Sequence, residues 1–391
     1  MTDFEVVALV FGALLILGAL ASGLAHRSFL SMTAVFVVAG FVLGDGGLGV
    51  LEFDAESEFV EDLATIALIV ILFRDGLEVE SEMLQKAWRL PVRKLALGMP
   101  ITGALVALVT HALTDLSWTE SFLLGALLSP TDPVLSSSVV TNPRVPRLVR
   151  HSLNLESGLN DGLALPAVLA FAAALATSSN DFVWYEFVLQ DVGLGFAYGI
   201  AVGLLASVFV PREPLYGLGV AFATYGLTFL GPSGNGFIAV FVCAITLGIR
   251  KPITFDDEIV EVVKLGIFVV FGSLLTFDSL FGDGWAAVGI VAFTLLLARP
   301  IAIWISLVGE KVDIATKAFM AWFGPKGVAT MTFSILILGQ GIAEGERIFN
   351  LAALAVFCSI IVHGLTDTPG SEWLARRATR RDEPATQASG P

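Results

Sequence analysis

Glu156, Ser157, Asn160 and Asp161 fall within six consecutive positions of a stretch that is otherwise apolar enough to lie in a bilayer. On a helix Glu156 and Asn160 stack on one face, Ser157 and Asp161 stack on another, and Asp161 lies roughly 100° round from Asn160. A hydroxyl and a carboxylate therefore face the same volume, and hard cations prefer such oxygen ligands. An ionisable residue at the centre of a membrane helix costs about 2.5–3.5 kcal/mol, which makes a functional role the default expectation. A buried carboxylate that holds either a proton or a metal cation, but not both, is the minimum machinery of an exchanger. The blander alternative, a polar cluster capping a loop, fits poorly with the apolar run on both sides.

A second polar string, Ser129-Pro130-Thr131-Asp132-Pro133, interrupts another apolar stretch. Its prolines break the helix and free backbone carbonyls and amides, tolerable at membrane depth only if buried in protein or lining a wet cavity. Freed carbonyls suit a cation, and Asp132 can face the positive N-terminal end of a half-helix; a simple proline kink with Asp132 as a cap is the competing reading. Arg299, in Leu297-Ala298-Arg299-Pro300, needs a buried acid opposite it, and Glu156 is the expected partner, leaving Asp161 free to titrate. Lys326, in Gly324-Pro325-Lys326-Gly327, either neutralises carbonyl ends of broken helices, pairs with Asp132, or lies nearer the membrane surface. Arg74-Asp75 and the Glu261/Lys264 pair read as local ion pairs, with a cytoplasmic funnel as the alternative for the first. His111 and His363 read as interfacial residues. Cys243 and Cys358 read as small core residues, two being too few for a disulfide framework or metal cluster.

The elements that must position these groups follow from composition. Mean hydropathy is +0.82, apolar residues make up 55% and charged residues 15%, where a soluble domain is about a quarter charged. Runs such as Val6–Ala25 and Leu95–Thr114 approach or reach the ~20 residues that cross a bilayer. Thirteen spans are expected, near 5–25, 28–46, 59–77, 92–114, 119–141, 152–178, 183–210, 214–230, 234–249, 258–277, 284–308, 314–341 and 347–367. The first is no cleaved signal, since Asp3 and Glu5 precede it in place of a basic flank. Alternate loops carry the basic residues, Lys94 counted among them, and the intervening loops hold a single one, Arg347. This positive-inside pattern puts the N-terminus outside and the C-terminus in the cytoplasm. The net charge of −14 argues against a nucleic-acid partner. Thirteen spans divide into six, a linker and six more, which sets the second half upside down relative to the first, as in many secondary transporters. The chain beyond about residue 370 reads as a short disordered tail.

Thr131-Asp132-Pro133, the string Glu156-Ser157-Gly158-Leu159-Asn160-Asp161-Gly162, Arg299-Pro300 and Phe323-Gly324-Pro325-Lys326-Gly327 together resemble the sodium/proton exchangers of the monovalent cation:proton antiporter family, most closely its electroneutral prokaryotic branch. That resemblance implies an all-α polytopic membrane protein of about 13 transmembrane helices, built from two six-helix inverted repeats with crossed unwound helices. It implies a homodimer in the cell membrane, with the transmembrane domain over 1–370, core helices over about 92–178 and 284–367, scaffold helices over about 1–77 and 183–277, and the tail over 371–391. It implies Asp161 as the shared ion and proton site, Asn160 as its neutral neighbour, Thr131, Ser157 and Glu156 as further sodium ligands, Glu156 paired with Arg299, and Asp132 supporting the unwound helix. Lys326 stands where relatives commonly have arginine, and Arg74 where relatives often have glutamate.

The expected activity is secondary active Na⁺/H⁺ antiport, a transport function rather than an enzymatic one and without a cofactor. Because Asn160 does not titrate, one proton exchanges per cation, and elevator-type movement of the core carries the neutralised site across. K⁺/H⁺ exchange is the nearest alternative, and Li⁺ is a further candidate cargo. A cation channel is the rival from another class, although interrupted helices in two halves argue against a ring-lined pore.

Overall fold

The computed structural model describes residues 4–25, 32–79, 88–132, 145–176, 182–211, 213, 215–251, 253, 255 and 257–382. Asp3 and Pro133, named above, lie outside them. Every regular element among the described residues is helical. Besides the single turn Phe277–Leu280, these are in chain order α1 (Phe4–Ala25), α2 (Met32–Leu43), α3 (Glu58–Leu77), α4 (Arg89–Leu113), α5 (Trp118–Leu127), α6 (Arg147–Ala176), α7 (Trp184–Ala206), α8 (Leu215–Leu227), α9 (Gly236–Arg250), α10 (Asp257–Ser273), α11 (Trp285–Ser306), α12 (Ile314–Trp322), α13 (Val328–Leu338) and α14 (Gly345–Asp382). Helices α4, α6, α7 and α11, together with residues Gly345–Arg377 of α14, are long and apolar enough to cross a membrane. Helices α2, α8, α9 and α13 are apolar and shorter.

Local sequence explains where the helices start and stop. Ser117 and Glu120 form a reciprocal capping box at the start of α5, Asn235 accepts the amides of Phe237 and Ile238 at the start of α9, and Ser57 caps α3. These caps satisfy amides that no preceding turn can reach. Three described helices carry a wide π turn: Val188–Leu194 in α7 and, each ahead of a proline, Lys94–Gly98 in α4 and Thr294–Ala298 in α11. Pro100 and Pro300 follow just beyond. A proline lacks the N–H for the carbonyl four residues back and its ring crowds that carbonyl, so the turn before it opens.

Helix α3 packs against α9, α10 and α13 and, with α6, surrounds the middle of the molecule. The apolar core runs through Leu68, Phe73, Val168, Phe241, Phe271 and Phe333. A second, smaller apolar cluster gathers Val149, Ile303, Phe319 and Met320. Large apolar side chains also point outward, among them Trp285 (88% exposed), Leu230 (82%) and Phe209 (74%). Water would penalise such faces, whereas acyl chains accept them.

Three expectations need correction. Helix α14 continues to Asp382 instead of giving way to a disordered tail near 370. Ser371, Leu374 and Ala375 are buried there and Arg376 pairs with Glu372 one turn back, so the stretch is both packed and helix-compatible. Lys94, counted with the loop residues, is buried inside α4. His363 is 2% exposed rather than interfacial, its ring nitrogens meeting the carbonyls of Ser359 and Trp322. On the opposite side of the molecule Arg347 bridges Asp283, Asp115 and Glu344, clamping the α10–α11 and α4–α5 connections to the start of α14. Its hydrogen bond holds the exposed Asp115 carboxyl below the usual carboxylate range.

Candidate functional site

Two broken helices meet at the centre. Helix α5 ends at Leu127, its last bond running from the Ser129 amide to the Ala126 carbonyl, and the chain continues non-helical through Asp132; α12 and α13 are separated by a similar non-helical segment, 323–327. The freed backbone groups are satisfied by one another. The Asp132 amide donates to the Pro325 carbonyl (2.8 Å), the Asp132 carboxylate accepts from the Val328 amide at the first turn of α13 (3.1 Å), and Thr330 Oγ1 donates to the Leu127 carbonyl (2.9 Å). Lys326 Nζ donates to the carbonyls of Pro130 (3.0 Å) and Ser129 (3.5 Å), which places this cation against the open C-terminal end of α5. Of the options raised for Lys326, this geometry is the carbonyl-neutralising one, at a fully buried position. A side chain at Gly324 would collide with the Arg299 guanidinium, and one at Gly327 with the Asp132 carboxylate. The close approach of these groups requires glycine at both positions.

Helix α6 brings the acidic cluster against this crossing. Asn160 Nδ2 donates to the Thr131 carbonyl (2.6 Å) and to Thr131 Oγ1 (2.9 Å), and Ser157 Oγ donates to the same carbonyl (3.2 Å). Glu156 is held by two cations: Arg299 Nη1 reaches Oε1 at 2.9 Å, and Lys94 Nζ reaches Oε2 at 2.5 Å while also donating to the Ser152 carbonyl. Arg299 Nη2 further donates to the Met320 and Phe323 carbonyls at the end of α12. Lys94 and Arg299 each sit at a π turn, inside it or immediately after it, so both proline-opened helices aim a cation at the same carboxylate.

Asp161 is differently placed. It is 7% exposed, its Oδ1 has no hydrogen-bond partner, and it lines a narrow cleft. Asp75, Asp132, Ser157, Lys264 and the rim residues Arg74 and Glu78 line the same space. Arg74 bonds Glu78 (2.8 Å), Asp75 (3.2 Å) and the exposed Asp257 (3.5 Å), so the cleft reaches solvent where α3 ends and α10 begins.

The structure thus gathers Asp161, Ser157 and Asp132 around one space, and Asn160 and Thr131 behind it. Glu156 does not line the cleft and both its oxygens are engaged, so it is poorly placed as a cation ligand. The oxygens of Thr131 are likewise occupied by Asn160 and Ser157. Sequence reasoning missed Lys94, Glu78 and Lys264 as members of this neighbourhood, whereas Asp75 both pairs with Arg74 and lines the cleft, the two readings raised for Arg74-Asp75. For Lys94 a signal existed, since it lies inside the span expected over 92–114. For Lys264 none did, because which side of a helix faces the acid cluster is decided by packing.

Comparisons with known proteins give the context. The profile of the family described as "Sodium/hydrogen exchanger, transmembrane" matches residues 12–373. The chain is 26% identical to the K(+)/H(+) antiporter NhaP of Alkalimonas amylolytica over 96% of this chain and 68% of that one. It is 29% identical to the K(+)/H(+) antiporter NhaP2 of Shewanella sp. (strain ANA-3) over 92% of this chain and 65% of that one. The chain therefore spans about two thirds of the length of these relatives. Na(+)/H(+) antiporter 1 of Methanocaldococcus jannaschii is 23% identical over 86% of this chain and 84% of its own. The solved structure of the sodium proton antiporter MjNhaP1 from the same organism, at pH 8, superposes with a TM-score of 0.79 at 20% identity, covering 94% of this chain and 97% of that one; this likeness concerns the fold.

Proposed function

The chain belongs to the transmembrane sodium/hydrogen exchanger family, and on that premise we propose that it exchanges a monovalent cation for a proton through Asp161. The observation that carries the reading is the contrast between two neighbouring carboxylates. Glu156 is neutralised by Lys94 and Arg299, whereas Asp161 faces an oxygen-lined cleft with an unpartnered oxygen. Asp161, Ser157 and Asp132 are the proposed cargo ligands. A cation or a proton occupies the carboxylate, and only a neutralised site crosses the barrier, because moving a bare charge through low dielectric costs several kcal/mol more. Asn160 carries no proton of its own, so exchange is one for one.

The cargo is proposed to be Na⁺. K⁺ is the second reading, favoured by the names of the Alkalimonas and Shewanella relatives. The further architecture follows the same proposal: thirteen spans in two inverted halves, a core of about 92–178 and 284–367 moving against a scaffold of about 1–77 and 183–277, a homodimer, and a cytoplasmic C-terminus. In that orientation the mouth at Arg74, Glu78 and Asp257 opens to the cytoplasm, and this conformation faces inward. The corresponding placement of the π turns in α4 and α11, one in each half, supports the inverted arrangement.

Proteoliposomes loaded with a pH-sensitive dye test the reading. Adding Na⁺ dissipates an imposed pH gradient with the parent protein, and K⁺ and Li⁺ in parallel rank the cargo. Asp161→Asn is expected to give folded protein without exchange. Exchange at the parent rate in that variant would overturn the assignment.

A further inference from the structure

Lys264 is buried on α10 and lines the cleft together with Asp161, Asp132 and Asp75. Its ammonium acts electrostatically on Asp75, Glu78 and Asp161. The other buried cations nearby are each tied down: Lys94 by Glu156 and the Ser152 carbonyl, Arg299 by Glu156 and two carbonyls, Lys326 by the carbonyls of Pro130 and Ser129. At the rim, Arg74 is held by Asp75, Glu78 and Asp257. Lys264 instead faces the open cleft, with no hydrogen bond or ion pair to it among the described residues.

We infer that Lys264 is a tethered competitor of the transported cation, an ammonium delivered from α10 that counterbalances Asp161 when the cleft is empty and lowers the affinity for cargo. The inference rests on Asp161 being the cargo site. An ammonium and an alkali ion seek the same oxygen ligands, and two positive charges a few ångströms apart repel strongly where water is scarce. Cargo binding therefore includes displacing the lysine or tolerating it. The consequence is useful to a transporter, because a site with several carboxylates and no internal counter-ion would hold its cation too tightly to release it. The charged groups that share the cleft with Lys264 are Arg74, Asp75 and Glu78 at the end of α3, Asp161 from α6 and Asp132 from the segment after α5.

Sign matters in the test, because protons and metal ions are both repelled. At acid pH the two effects offset each other in competition. At alkaline pH, where protons no longer compete, only metal affinity is read. Lys264→Met is expected to lower the half-saturating Na⁺ concentration for exchange about tenfold there, and to lower by a similar factor the Na⁺ concentration that gives half-maximal protection against heat in detergent. Lys264→Arg, which keeps the charge, should stay within about twofold of the parent. An unchanged or raised half-saturation in Lys264→Met, or equal shifts in the Met and Arg variants, would overturn the inference and leave a purely structural lysine. If Lys264→Met does not accumulate as folded protein, Asp75→Asn/Lys264→Met, which also removes a stranded carboxylate, is read in the same way. Exchange surviving in Asp161→Asn defeats the cargo-site reading itself, whereas an unmoved Lys264→Met beside an inactive Asp161→Asn defeats the competitor alone.

Discussion

Glu156 carries one negative charge against two buried cations, and that inequality orders the effects of losing each partner. Removing Glu156 strands both Lys94 and Arg299, and breaking a buried pair by deleting one side typically costs about 3–5 kcal/mol. Removing Lys94 leaves Glu156 balanced by Arg299 and frees one backbone carbonyl, at Ser152. Removing Arg299 leaves Glu156 balanced by Lys94 but frees the carbonyls of Met320 and Phe323. Thermal unfolding in detergent is therefore expected to rank Glu156→Gln as the most destabilising, Arg299→Met next and Lys94→Met least. Glu156→Gln/Lys94→Met should recover part of the loss of Glu156→Gln. Equal losses for the three single variants, or additive losses in the double, would contradict the shared ion cluster.

Broken elements, more than whole helices, build the centre. Pro100 and Pro300 open the turns from which Lys94 and Arg299 reach Glu156, and the non-helical segments 129–132 and 323–327 close on each other through the Asp132–Pro325 and Val328–Asp132 bonds. This crossing leaves no room at Gly324, where an added Cβ would meet the Arg299 guanidinium. Gly324→Ala must push the guanidinium off Glu156 or open the crossing, and overpacking of this kind costs about 1–3 kcal/mol. Its expected signature is a lowered melting temperature in detergent together with slowed exchange in proteoliposomes. Gly219→Ala is the control: a side chain there meets no atom within 4 Å, so both quantities should stay at parent values. Equal behaviour of the two variants would refute the steric account.

At the scale of the whole molecule the question is how much charge crosses per cycle. A net charge moved through the membrane gains about 2.3 kcal/mol per 100 mV, so a charge-moving exchanger responds steeply to voltage. With Asn160 unable to carry a second proton, one-for-one exchange moves none. Initial rates of Na⁺-driven alkalinisation in vesicles clamped by a potassium ionophore are therefore expected to be the same at zero and at 100 mV, to within about a factor of two. A change of tenfold or more between those potentials would mean that another group, such as the buried Asp75 in the same cleft, exchanges protons as well.

The sequence by itself determined the class of protein, the segments that become helices, and the residues with chemistry to perform. Apolar runs long enough for a bilayer admit few solutions, and prolines and glycines interrupt them where backbone groups must come free. It made Asp161, Ser157, Asn160 and Asp132 visible as oxygen-bearing groups in an apolar setting, and it required an acid for Arg299. Only the tertiary structure decided the side on which each helix turns its polar residue. Lys94 left the loops for the Glu156 pair, Asp75 kept its neighbour Arg74 while lining the cleft beside Asp161, Lys264 turned into the same cleft, and Glu156 stayed out of its reach. Helical spacing fixes which residues share a face, but the direction of that face depends on contacts between segments far apart in the chain, where the cost of an unpaired buried charge selects the partner.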